Sequence, residues 1–239
     1  MRRFGFSTGA LAKGDFRRAL QQSLDAGDDA VEYSALREEE FEPLANYLPE
    51  RGTGPFAHVA FHAPSHPKPE NEAKIVETLK TLVETLGVWV VAHPDSIRTF
   101  RLWRNLGEHL CIENMDHRKP IGRSADELAV VFRELPRAKL CFDIGHAHEM
   151  DRSMSMGYEI LKRFRDRVVQ IHASEVSDKC EHRAFSASSA AAFARLSPFL
   201  PQDATIILET VVPEAGAAEQ MAKAQQIFEN AADAPNGHA

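Results

Sequence analysis

Short apolar runs recur along the chain about every 30 residues, the length of one strand–helix unit. Eight are legible: RFGFS, AVEYS, HVAFH, VWVVAH, HLCIE, KLCFD, VVQIH and TIILE. Six end in a group that does not belong in a core: His62, His93, Glu113, Asp143, His172 and Glu209. The runs predict strands over Arg3–Ser7, Ala30–Ser34, His58–His62, Val88–His93, His109–Glu113, Lys139–Asp143, Val168–His172 and Thr205–Glu209. Between them the apolar positions return at helical spacing, as in Ile75, Leu79, Leu82, Val83 and Leu86. Helices are therefore expected from an Asp15 cap to Asp25, and over Glu38–Tyr47, Asn71–Leu86 and Ser96–Leu106. Further helices are expected from the Ser124 cap, with Glu127 three residues on, and over Met156–Phe164, Ser189–Phe199 and Gly216–Ala232.

Strict alternation of strand and helix gives a parallel sheet. Runs such as VVQI and TIIL are nearly continuous in apolar residues, as strands covered on both faces are. Eight units favour closure, so the expected fold is α/β, a single (β/α)8 TIM barrel over residues 1–239. A polar tail is expected from about 233. Ending a buried run in a charge or an imidazole is costly unless a partner is present. Six such endings at the same end of eight strands share one explanation, a ring of metal ligands at the barrel mouth. Catalytic groups of this architecture lie there.

The chain has 239 residues and a formal net charge of −7, which argues against a broad basic face. No apolar run approaches the ~20 residues of a membrane span, and the start MRRFGFSTGAL has no long apolar stretch of a signal peptide. Cys111, Cys141 and Cys180 are odd in number and far apart, which fits a reducing cytosol and a cytoplasmic protein. Imidazoles and carboxylates at strand ends suit Zn or Mn, with Fe a further candidate. Asn114 is expected to orient Glu113, and Glu32, Glu175 and Arg183 to reach a substrate.

The motifs FHAPS, AHPDS, LCIENMDHRKPIGRSADELAVVF, LCFDIGHAHE, QIHASEV and EHRAFS occur in this order between residues 58 and 209. Together they resemble the endonuclease IV and xylose isomerase-like barrel superfamily. The resemblance implies one metal on His62, His93 and Glu113, and a second on Glu113, Asp143, His172 and Glu209, with Glu113 bridging. His146 and His182 would contribute to a third. The family's further Asp ligand for that third ion is replaced here by Cys180, which implies a weakened site.

Two chemistries follow from the resemblance. A bridged pair of ions would clamp a small phosphate ester for hydrolysis, and the full ligand set favours this reading. The alternative is a sugar or sugar-phosphate isomerase or epimerase with one ion on the four-ligand set. Glu113 and Glu209 would then carry protons and His146 would touch a sugar hydroxyl. A barrel retained only for binding is a third and weaker reading. Duplex DNA is not expected as a partner, because the loops FSTGALAKG, SALREEE, APSHPKPEN and HPDS are short and the charge balance is acidic. The expected partner is a small molecule.

Overall fold

Eight parallel strands close on themselves, each hydrogen-bonded to two neighbours. This is a computed structural model, and it describes residues 2–12 and 15–229. The barrel strands are β1 (Phe4–Ser7), β2 (Ala30–Ser34), β3 (His58–His62), β4 (Trp89–Ala92), β5 (Leu110–Glu113), β6 (Lys139–Asp143), β7 (Val168–Ala173) and β10 (Thr205–Leu208). A small antiparallel hairpin, β8 (Glu175–Val176) with β9 (His182–Arg183), stands above β7. The helices are α1 (Phe16–Ala26), α2 (Glu38–Arg51), α3 (Glu72–Leu86), α4 (Phe100–Trp103) and α5 (Ala125–Glu134). They continue with α6 (Ile144–Met150), α7 (Ser155–Phe164), α8 (Ala187–Leu196) and α9 (Glu214–Glu229). The fold is the expected single (β/α)8 TIM barrel. The end of the last predicted helix, to Ala232, and the tail lie outside the described residues.

The pleat of the strands explains both layers of the core. Alternate side chains face opposite sides of a sheet. Phe4, Val31, Phe61, Val90, Ile112, Phe142, Ile171 and Ile206 point outward and pack under the helices. Ala60, Val91, Cys111 and Cys141 point inward as a separate small cluster. Two residues further along each of those strands, on the same inward face, stand His62, His93, Glu113 and Asp143. The inward positions at the mouth are thus the polar strand ends, and the layer beneath them is built from small side chains.

Gly5 belongs to that narrow interior. A Cβ at this position would lie 1.7 Å from the carbonyl oxygen of Ala30 on the paired strand. Backbone in a closed barrel cannot yield easily, so Gly5→Ala is expected to cost about 3 kcal/mol. That corresponds to a fall of roughly 6–12 °C in the midpoint of thermal unfolding. A midpoint within about 1 °C of the parent would show that β1 and β2 are not so tightly apposed.

Three local elements differ from the sequence expectation. The helix expected over Ser96–Leu106 shrinks to the single turn of α4 followed by tighter turns, with Gly107 at φ 60° ending the run. The helix expected to stop at Tyr47 continues to Arg51, carrying Pro49 in its last turn. Helix α6 follows β6 directly and was not among the expected helices. Asp143 caps it, its Oδ1 accepting from the His146 backbone N–H at 2.6 Å.

Candidate metal centre

At the C-terminal mouth of the barrel the polar strand ends converge on Glu113. Its Oε2 lies 3.2 Å from His62 Nε2 and 3.3 Å from His93 Nε2. Its Oε1 lies 3.4 Å from both His146 Nδ1 and His172 Nδ1. Burial alone would raise the Glu113 carboxyl, but His172 and His93 outweigh it and hold the group well below its ordinary value. Glu209, just past β10, lies 3.5 Å from His172 Nδ1 and 3.5 Å from His182 Nδ1. Burial pushes its carboxyl up to about 8; His172 partly offsets this, and Glu113 and Asp143 add to it. Asp143 is pushed up to about 6, first by burial.

Donor atoms of Glu113, Asp143, His172 and Glu209 all lie within 4.8 Å of one another, and so do those of His62, His93 and Glu113. Glu113 belongs to both groups. Two atoms at the first centre, Asp143 Oδ2 and His172 Nδ1, are buried without a hydrogen-bond partner. Such orphans cost about 1–3 kcal/mol each. Three crowded carboxylates and an imidazole nitrogen that converge, with one carboxylate oxygen and that nitrogen orphaned, fit a divalent cation.

The tautomers separate the two groups. His172 Nε2 donates to Glu32 Oε2 at 2.8 Å, so Nδ1 is the nitrogen that faces Glu113 and Glu209. His62 donates Nδ1–H to the Ala63 carbonyl at 2.8 Å, so its Nε2 faces Glu113. His93 is arranged the other way. The Lys119 ammonium, itself paired with Asp95 at 3.0 Å, donates to His93 Nδ1 at 3.4 Å. A neutral His93 that accepts at Nδ1 carries its proton on Nε2. In that tautomer the Nε2–H points at Glu113 Oε2, 3.3 Å away. Burial pushes His93 down to about 4, consistent with a neutral ring.

A polar column runs below the centre. Gln170 Nε2 donates to Glu32 Oε2 at 2.6 Å, and Gln170 Oε1 pairs with His58 Nε2 at 2.8 Å. Glu32 is paired in register with Ala60, a layer below the mouth, and is 0% exposed. It therefore supports His172 and does not reach a substrate, contrary to expectation. Asn114 likewise holds Asp143, not Glu113: its side chain donates to the Asp143 carbonyl and accepts from the Asp143 N–H, both at 2.8 Å.

The remaining predicted residues divide. His146 and His182 line the cavity with Glu113 and Glu209. Glu175 is turned away: its Oε2 accepts from the Ser186 N–H and the Ser189 hydroxyl, closing the start of α8. Arg183 is exposed and paired with Glu181, outside the cavity lining. Cys180 gathers with Asp116 and His117 instead of His146 and His182. Asp116, Arg118 and Lys119, not among the expected site residues, form one wall of the cavity. Their signal was the charged stretch DHRK directly after the β5 carboxylate. The cavity is small, about 160 Å³.

The profile of the xylose isomerase-like TIM barrel family matches residues 20–227. The chain belongs to this family. No curated protein matches the sequence. Among solved structures, a D-tagatose 3-epimerase-like protein is 15% identical over 97% of this chain and 98% of its own, with a TM-score of 0.68. An L-ribulose 3-epimerase is 16% identical over 97% and 96%, with a TM-score of 0.63. A xylose isomerase-like barrel protein from Mycobacterium smegmatis, in complex with magnesium, is 13% identical over 90% and 89%, with a TM-score of 0.57. At these identities the likeness shows the fold. Among the described residues, no helix is long and apolar enough to cross a membrane.

Proposed function

We propose that this protein is a divalent-metal-dependent isomerase or epimerase of a small ketose or ketose phosphate. The observation that carries the reading is the single four-donor centre of Glu113, Asp143, His172 and Glu209, two of whose carboxylates flank one point in the cavity. The two sugar 3-epimerases among the fold neighbours support it. Phosphate-ester hydrolysis, which the sequence reading ranked first, needs a bridged pair of ions. It ranks second here because the Lys119 contact at His93 Nδ1 favours a His93 ring with its proton on Nε2, which disfavours a second ion on His62, His93 and Glu113.

When bound, a divalent ion supplies Lewis-acid polarisation of the substrate's carbonyl and neighbouring hydroxyl. The chain's own residues then do the proton work. Glu113 and Glu209 reach the centre from β5 and from the end of β10, so they approach a substrate there from different strands. One carboxylate takes the proton from the carbon beside the carbonyl, and the other returns a proton to the opposite face. His146 donates Nδ1–H to the Asn114 carbonyl at 2.9 Å, which turns Nε2 into the cavity to meet a sugar hydroxyl. Lys119 and Arg118 stand at the wall, where a sugar hydroxyl or a terminal phosphate would lie.

The test is a panel of ketoses and their phosphates, beside phosphomonoesters and phosphodiesters, each incubated with magnesium- or manganese-loaded protein and followed by NMR. Formation of an epimer or aldose without release of phosphate or alcohol is the expected result. Ester hydrolysis with no sugar conversion would overturn the reading.

Glu32 has a separate expectation. Its carboxylate fixes the His172 ring so that Nδ1 presents a lone pair. Outer groups of this kind contribute about 10- to 100-fold in metal affinity. Glu32→Gln is expected to weaken manganese binding by that factor in calorimetric titration while the barrel stays folded. Unchanged affinity would show that His172 holds its tautomer without Glu32.

A further inference from the structure

We propose a second ion site at the rim of the mouth, in which Cys180, His117 and Asp116 take a thiophilic divalent ion of the zinc or cobalt class. It shares no residue with the Glu113–Asp143–His172–Glu209 centre and does not depend on the sugar reading.

The donor atoms of the three residues lie within 4.8 Å of one another. Cys180 Sγ is 3.6 Å from His117 Nδ1. Sulfur and nitrogen bound to one tetrahedral zinc, at about 2.3 Å and 2.0–2.1 Å, stand about 3.6 Å apart. The two donors therefore already have the separation that a shared ion requires. Asp116 and Cys180 are 1% and 6% exposed and form the floor of the cup. His117 is on the solvent side and leaves a route of entry. Glu149 adds a further carboxylate, its Oε1 2.5 Å from His117 Nδ1.

Two existing contacts are compatible with this assignment. Arg118 holds both oxygens of Asp116, at 3.1 and 2.7 Å. Oδ1 also accepts from the Arg118 backbone N–H at 2.8 Å and is filled, whereas Oδ2 accepts one hydrogen bond and keeps a lone pair for an ion. The His117–Glu149 pair shares the Nδ1 that an ion would take, so Glu149 either moves aside or joins as a fourth ligand. The donor types separate the two centres chemically. A set with a thiolate and an imidazole selects zinc or cobalt, whereas an oxygen-rich set suits magnesium and manganese.

The site would tie two loops together. Asp116 and His117 follow β5, and Cys180 lies in the turn between β8 and β9. The next barrel-facing residue of that hairpin is His182, which lines the cavity beside Glu209. Filling the rim site would therefore fix the His182 wall of the pocket.

The test uses the full chain, stripped with a chelator and titrated with cobalt(II). A cobalt–thiolate bond gives a charge-transfer band in the near ultraviolet, and the inner centre has no thiol donor to produce one. The band is expected to rise to one cobalt–thiolate per chain and to persist in Glu209→Gln. It should vanish in Cys180→Ser and need more cobalt in His117→Ala, a surface change that does not threaten the fold. Absence of the band at saturating cobalt would overturn the proposal. So would a band that survives Cys180→Ser, or one lost in His182→Ala yet unchanged in His117→Ala.

Discussion

Glu209→Gln is expected to leave a folded barrel that converts its ketose about 10²- to 10⁴-fold more slowly, the contribution of a positioned acid–base group. Glutamine keeps the shape and a donor oxygen but cannot carry the proton. The loss should fall on kcat, because the cavity wall is unchanged. Stability should move the other way in metal-free protein. The Glu209 carboxyl is pushed up to about 8 by burial, with Glu113 and Asp143 adding to the effect against His172. A carboxyl raised in the folded state stabilises the fold at low pH, and that stability is lost as pH rises toward 8. The neutral substitution removes this loss, so the thermal midpoint of Glu209→Gln should exceed the parent's near pH 8 and match it near pH 4. A kcat within about threefold of the parent would remove Glu209 from the proton path.

Stripping the divalent ion is expected to abolish sugar conversion and to lower the thermal midpoint. An ion present at 100 times its dissociation constant stabilises by about 2.7 kcal/mol, or roughly 5–11 °C in a domain of this size. Without it, Asp143 Oδ2 and His172 Nδ1 return to being buried and unsatisfied. Manganese should restore both properties at one ion per chain. His62→Ala should not change that count, because His62 faces Glu113 from the side where His93 presents an N–H. A second manganese per chain, lost in His62→Ala, would reinstate the bridged pair and the hydrolytic chemistry with it.

The strands were legible in the sequence for a physical reason. Each is covered on both faces and stops where its inward side becomes polar, so apolar run and polar end mark its limits together. Ala30–Ser34, His58–His62 and Lys139–Asp143 have the same bounds in the structure as in the pattern. The convergence of His62, His93, Glu113, Asp143, His172 and Glu209 was legible by the same logic, since the period-two pleat puts every one of them on the inward face.

Depth was not legible. Glu32 also faces inward, but register places it level with Ala60, and a single sequence does not state register. Glu175 and Arg183 were misassigned because the hairpin that turns them away is built from two-residue strands with no periodicity to read. Helix α6 was missed because Asp143 serves both as a strand end aimed at the centre and as the helix cap. The wall formed by Asp116, Arg118 and Lys119 lies in a loop, where charge alone does not distinguish a cavity lining from a solvated turn.

The central claim is that Glu113 and Glu209 exchange a carbon-bound proton of a small ketose at a one-ion centre. Its most direct test is incubation of manganese-loaded protein with candidate ketoses in deuterated water, with deuterium located by NMR. The account predicts deuterium at the carbon beside the carbonyl in the parent protein, and its loss in Glu209→Gln and after chelation. Release of phosphate or alcohol from an ester, with no deuterium in any sugar, would contradict it.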